Sequence, residues 1–110
     1  MVRNIRRRCY CDTRSFEKNI DYKGMVEIVN KYPTVIVDVR SEQEFKEGHI
    51  NGAINIPLYR VKSEFSKNIK NKNEYIILYC TSGIRSKKAQ NILEIMGYKN
   101  AYNLISGFSE

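Results

Sequence analysis

Tyr75-Ile76-Ile77-Leu78-Tyr79-Cys80-Thr81-Ser82-Gly83-Ile84-Arg85-Ser86-Lys87-Lys88 is the stretch on which the fold turns. Its first five residues are apolar or aromatic without a break, as in a strand buried on both faces of a parallel sheet. Further on, Ala89, Ile92, Leu93 and Met96 recur at helical spacing, and Gly97 stands where such a helix stops. A strand, a short loop and a helix therefore follow one another, and Cys80 is the first residue off the strand. In open α/β sheets the chemistry sits at the carboxyl ends of the strands. Cys80 is thus the candidate reactive group.

The same alternation extends in both directions. Upstream, Asp21 is placed to cap a helix whose apolar positions are Met25, Ile28, Val29 and Tyr32, and Pro33 stops it. Val35-Ile36-Val37-Asp38-Val39 is β-branched and almost wholly apolar, a second buried strand. Ser41-Glu42-Gln43-Glu44 has the form of a capping box and opens a short helix that Gly48 ends. Ala53 to Ile56 reads as a short strand closed by Pro57, and Leu58, Val61, Phe65 and Ile69 as one helix face. Ala101 to Leu104 is the last expected strand. Strands alternating with helices predict an α/β fold: a small, mostly parallel sheet with helices on both faces.

The loop has the composition of an anion holder. A cysteine above a helix N-terminus meets unpaired backbone N–H groups and the positive end of the helix dipole. Both favour thiolate over thiol. Gly83 permits a positive φ, so that successive amides converge. Ser86 is a good N-cap for the helix. Arg85, Lys87 and Lys88 surround the mouth, where cations cost the helix a little and make sense as attractors of an anionic substrate.

Composition narrows the class. The 110 residues fit one domain, and 42% hydrophobic against 28% charged residues allow a modest core. No apolar run approaches the ~20 residues of a transmembrane helix, and no signal peptide is visible before Phe16. The expectation is a cytoplasmic protein without a membrane partner. The net charge is +7, and residues 1–16 carry five Arg against Asp12 alone. Residues 1–16 are read as a basic, solvated tail and residues 17–110 as the domain; a nucleic-acid arm is the less favoured use of that charge. The three cysteines, Cys9, Cys11 and Cys80, are an odd number, which argues against a disulfide framework. Cys9 and Cys11 supply two soft ligands with no second pair to complete a metal site, and His49 is the sole histidine.

Several of these segments, in this order, resemble the rhodanese-like sulfurtransferases. Cys80-Thr81-Ser82-Gly83-Ile84-Arg85-Ser86 matches the family's C-x4-R-S loop, and Val37-Asp38-Val39-Arg40 its D-V-R segment. Glu44-Phe45 and Gly48-His49-Ile50-Asn51-Gly52-Ala53-Ile54-Asn55-Ile56-Pro57 match its E-F-x-x-G-H-I-x-G-A-x-N-I-P stretch. Asn103-Leu104-Ile105-Ser106-Gly107-Phe108 resembles its near-terminal N-L-x-G-G turn, with Ser106 in place of the usual glycine. Relatives generally continue into a tryptophan and a final helix, whereas this sequence stops at Glu110. The departures bear on stability and oligomeric state more than on chemistry.

The resemblance implies a thiosulfate-type sulfurtransferase. Cys80 is the expected nucleophile, and it would carry the sulfur as a persulfide. Arg85 would hold the donor's sulfonate-like end and brace the loop, while Thr81, Ser82, Gly83, Ile84 and Ser86 form the ring of amides. The expected partners are a small anionic donor such as thiosulfate and a thiophilic acceptor, cyanide or a thiol, including one on a partner protein. No metal or organic cofactor is expected. His49 is read as a fold-supporting residue, and Asp38 with Arg40 as a structural ion pair or loop brace. Three alternatives stand beside this: a persulfide relay to a dedicated partner, a non-catalytic module of the same fold, and a cysteine phosphatase or arsenate reductase. The last needs C-x5-R. Four residues between Cys80 and Arg85 make a smaller amide ring, suited to one sulfur atom rather than a tetrahedral oxyanion.

Overall fold

A computed structural model describes residues 18–108; the expected tail with Cys9 and Cys11 lies outside the described residues. Nine elements alternate along the described residues: β1 (Asn19–Ile20), α1 (Tyr22–Lys31), β2 (Thr34–Asp38), α2 (Glu42–Glu47), β3 (Ile54–Asn55), α3 (Leu58–Asn68), β4 (Tyr75–Tyr79), α4 (Ile84–Ile95) and β5 (Asn100–Leu104). Hydrogen bonding orders the strands β1-β5-β4-β2-β3, and every neighbouring pair is parallel. The strand carrying Cys80 at its end is the central one.

The period-2 alternation of a strand divides β4 between two cores. Ile76, Leu78 and Cys80 join Val37, Phe65 and Leu93 on the face covered by α3 and α4. Ile77 and Tyr79 join Met25 and Leu104 on the other face, beneath α1. Both faces being covered explains why β4 is aliphatic or aromatic throughout.

The local signals at α1, at α2 and at the end of α4 act as written in the sequence. Gly24 N–H donates to the Asp21 side chain at 2.8 Å and caps α1. Ser41 and Glu44 complete a reciprocal capping box on α2. α4 closes with Gly97 at φ +100°. There the N–H groups of Gly97 and Tyr98 return to the carbonyls of Glu94 and Leu93, a Schellman turn.

Two expectations change. Val29 and Tyr32 do not join the core; they are 42% and 41% exposed. Only Met25 and Ile28 of α1 reach the sheet, and Tyr32 instead stacks on the Tyr75 ring at 4.0 Å. β1, which is not among the expected strands, forms the edge of the sheet and pairs with β5 through two residues. Among the described residues no helix is long and apolar enough to cross a membrane.

Candidate active site

Cys80 is buried, 1% exposed, where β4 ends. Its Sγ sits at the focus of the turn. Gly83 N–H donates to it at 3.1 Å and Ser86 N–H at 3.4 Å, and the Ser86 Oγ lies 3.4 Å away. Burial pushes the thiol up. The Ser86 hydroxyl and the N–H groups of Ser86, Ser82 and Gly83 pull it down and prevail, leaving Cys80 below its ordinary value.

Ser86 is not the N-cap expected from the sequence. α4 starts at Ile84, with Gly83 in the cap position at φ +88° and no side-chain cap bond. Ser86 lies in the first turn, fully buried. The sulfur takes the role a cap oxygen normally fills, accepting the otherwise orphaned N–H of the helix's third residue. Gly83 tolerates no side chain here: besides its φ, a Cβ would meet the Ile105 carbonyl oxygen at 2.8 Å. Gly107 is more constrained, because a Cβ there would stand 2.2 Å from the Thr81 carbonyl oxygen. Phe108 N–H donates to the Cys80 carbonyl at 2.8 Å, so this second turn fixes the strand end from behind.

The Ser86 hydroxyl has one proton and two claimants. It is within hydrogen-bond distance of the Asn103 Oδ1 as well as the sulfur. Asn103, 3% exposed, is anchored by its own Nδ2–H donating to Asn19 Oδ1 at 3.1 Å. A thiol donates to Ser86 Oγ and leaves the hydroxyl to Asn103; a thiolate accepts the hydrogen bond from the hydroxyl instead. Asn103 belongs to the site though it was not among the expected site residues. An amide inside the otherwise apolar strand Ala101–Leu104 is the signal that points to it.

Removal of the hydroxyl tests its share. Ser86→Ala keeps the backbone N–H but deletes a donor to the thiolate, so the Cys80 pKa rises. The acid limb of the kcat/KM profile should then move to higher pH, and an unmoved limb would show that the backbone amides act alone.

Arg85 is turned toward α2. Its Nη1 donates to Glu44 Oε1 at 2.8 Å and its Nη2 to Oε2 at 3.1 Å. Glu44 Oε1 also accepts from the Ser41 N–H at 3.0 Å. Arg85 first and Ser41 second hold the Glu44 carboxyl down at about 2. The capping box of α2 thereby grips the loop, a second role of Glu44 that its local motif does not disclose. Nε–H and the outer Nη hydrogens of Arg85 lie outside this pair. The side chains of Thr81, Ser82 and Ile84 are exposed.

Asp38 and Arg40 form a buried ion pair. Asp38 accepts from the Arg40 N–H at 2.8 Å, from Nε at 3.1 Å and from Nη2 at 2.8 Å. The guanidinium also donates to the Gly48 carbonyl and lies 4.9 Å from the Phe108 ring centre. His49 has a structural contact too: Nδ1–H donates to the Phe45 carbonyl at 2.7 Å, and the rings stack at 3.7 Å.

Comparison with known proteins agrees with this geometry. A family profile described as a Rhodanese-like domain matches residues 21–110. The chain is 33% identical over 91 residues to the thiosulfate sulfurtransferase GlpE of Coxiella burnetii, covering 83% of each. It is 38% identical over 93 residues to the tRNA uridine(34) hydroxylase of Buchnera aphidicola, covering 79% of this chain but spanning only 28% of that protein's length. The human single-domain sulfurtransferase TSTD1 superposes with a TM-score of 0.73 at 21% identity over 83% of this chain and 91% of its own, a likeness of fold. A cysteine cradled by amides at the end of the central strand, the family profile over most of the chain and a relative matched along most of its length agree: this chain belongs to the rhodanese-like family.

Proposed function

We propose that the protein is a thiosulfate-type sulfurtransferase that carries sulfane sulfur as a persulfide on Cys80. The observation that carries this reading is the convergence of Gly83 N–H, Ser86 N–H and Ser86 Oγ on one sulfur atom, within 3.4 Å. Donors aimed at a point stabilise negative charge there without reorganising. That charge is on Sγ in the attacking thiolate, and it returns to Sγ when the persulfide bond breaks.

The first step is attack of the Cys80 thiolate on the outer sulfur of thiosulfate. A new S–S bond forms, the donor's S–S bond breaks, and sulfite leaves with the electron pair. In the second step a thiophile such as cyanide attacks the outer sulfur and departs with it as thiocyanate. Cys80 returns as thiolate, and no oxidant or reductant is consumed. A lowered thiol pKa lessens the demand for a general base, consistent with the structural contacts of His49. GlpE, named a thiosulfate sulfurtransferase, supports this reading. A loop with four residues between Cys80 and Arg85 speaks against phosphatase chemistry.

Sulfite and thiocyanate should appear one for one, with the parallel double-reciprocal lines of a two-step covalent mechanism. Phosphate-monoester hydrolysis without thiocyanate formation would replace the proposal. Arg85→Ala should raise KM for thiosulfate on the order of tenfold, because a charge-assisted contact is lost and Glu44 is left unneutralised at the mouth. Unchanged kinetics would make Arg85 peripheral.

A further inference from the structure

Beside the cysteine loop lies a groove of ≈ 450 Å³ to which the reaction above assigns nothing. Its apolar surface comes from Ile84 and Ile105, which remain 64% and 49% exposed. Lys87 and Lys88 contribute to its wall, and among the described residues no Asp or Glu does. Lys87 has a neutral partner, Gln90 Oε1 at 3.3 Å, and Lys88 forms no ion pair among the described residues. The first turn of α4 has no acidic residue either. The groove therefore joins an aliphatic surface to positive charge that no acidic side chain among the described residues compensates, and its volume is that of a small-molecule site.

The groove adjoins the reacting atom. Gly83 contributes to its wall and donates its N–H to Cys80 Sγ at 3.1 Å. Gly83 is thus shared by the groove wall and the amide cradle of the sulfur. Thiosulfate and cyanide have no apolar part and gain nothing from Ile84 and Ile105. A neutral thiol gains nothing from the lysines.

We propose that this groove binds the sulfur acceptor, and that the acceptor is an anionic thiol with an aliphatic segment. The proposal rests on the sulfur-transfer reading above. The aliphatic segment covers Ile84 and Ile105, the anionic end faces Lys88, and the thiolate reaches over the loop to the persulfide. It attacks the outer sulfur, the persulfide S–S bond breaks, and the electron pair returns to Cys80 Sγ. The acceptor leaves as a persulfide anion.

Three thiols separate the contributions: mercaptohexanoate, mercaptohexanol and mercaptoacetate, each offered to protein loaded by thiosulfate. Mercaptohexanoate should show the lowest KM of the three. Lys88→Glu should raise that KM about tenfold while moving the KM for mercaptohexanol no more than about twofold, as expected for loss of one specific charge contact. Ile105→Thr should raise KM for both hexyl thiols and spare mercaptoacetate. Equal KM for the acid and the alcohol, or an equal effect of Lys88→Glu on both, would overturn the groove's role and leave sulfur transfer standing. Failure of Cys80 to load from thiosulfate would instead overturn the sulfur-transfer reading, and the groove's role with it.

Discussion

Cys80→Ser should lower the rate of thiocyanate formation on the order of a thousandfold or more, because removal of a covalent nucleophile leaves only binding and electrostatics. A serine hydroxyl has no accessible anion at neutral pH and no affinity for sulfane sulfur. Its Oγ can still accept from Gly83 N–H, so the loop keeps its shape. The variant should therefore melt within a few degrees of the natural protein, the usual range for a small isosteric change. Turnover within tenfold of the natural protein would contradict the assignment of Cys80.

The second large effect is on stability. Asp38→Ala should destabilise the fold by about 3–5 kcal/mol, the cost of leaving a buried guanidinium without its partner. Asp38 is 0% exposed, and its removal leaves three Arg40 donors, the backbone N–H, Nε–H and Nη2–H, without their acceptor. A domain of this size has about 5–15 kcal/mol in total, so the melting temperature should fall on the order of 15–30 °C. The damage also reaches the site, because Arg40 lies against Phe108 and Phe108 N–H supports the Cys80 carbonyl. The contrast is Arg60, whose partners Glu42 and Glu64 are 51% and 39% exposed. Exposed pairs of that kind contribute roughly 0–1 kcal/mol. Thermal melts of Asp38→Ala beside Glu64→Ala give the comparison. Equal losses would show that burial adds nothing to the Asp38–Arg40 pair.

The parts of this molecule that are legible in its sequence are those that local physics decides. β4 is readable because burial on both faces leaves an unbroken apolar run. The capping box Ser41–Glu44 is readable because both its hydrogen bonds lie within one turn. Cys80 is readable because a strand end and a glycine-bearing loop meet there. What the sequence conceals depends on pairing between distant segments. β1 has two residues and no periodicity, and it exists because Asn19 and Ile20 lie beside Asn103 and Leu104. The bond from Arg85 to Glu44 spans 41 positions, so neither local motif shows it. Ser86 has the composition of an N-cap and is drawn inside the helix instead. Its N–H already has a partner in the Cys80 sulfur, which no propensity for α4 alone includes.

Intact mass with peptide mapping, before and after thiosulfate and again after cyanide, tests the central claim most directly. The account predicts a gain of one sulfur atom confined to the peptide bearing Cys80, and its complete removal by cyanide. No added mass, or a cyanide-labile sulfur on the peptide bearing Cys9 and Cys11 with Cys80 unmodified, would contradict it.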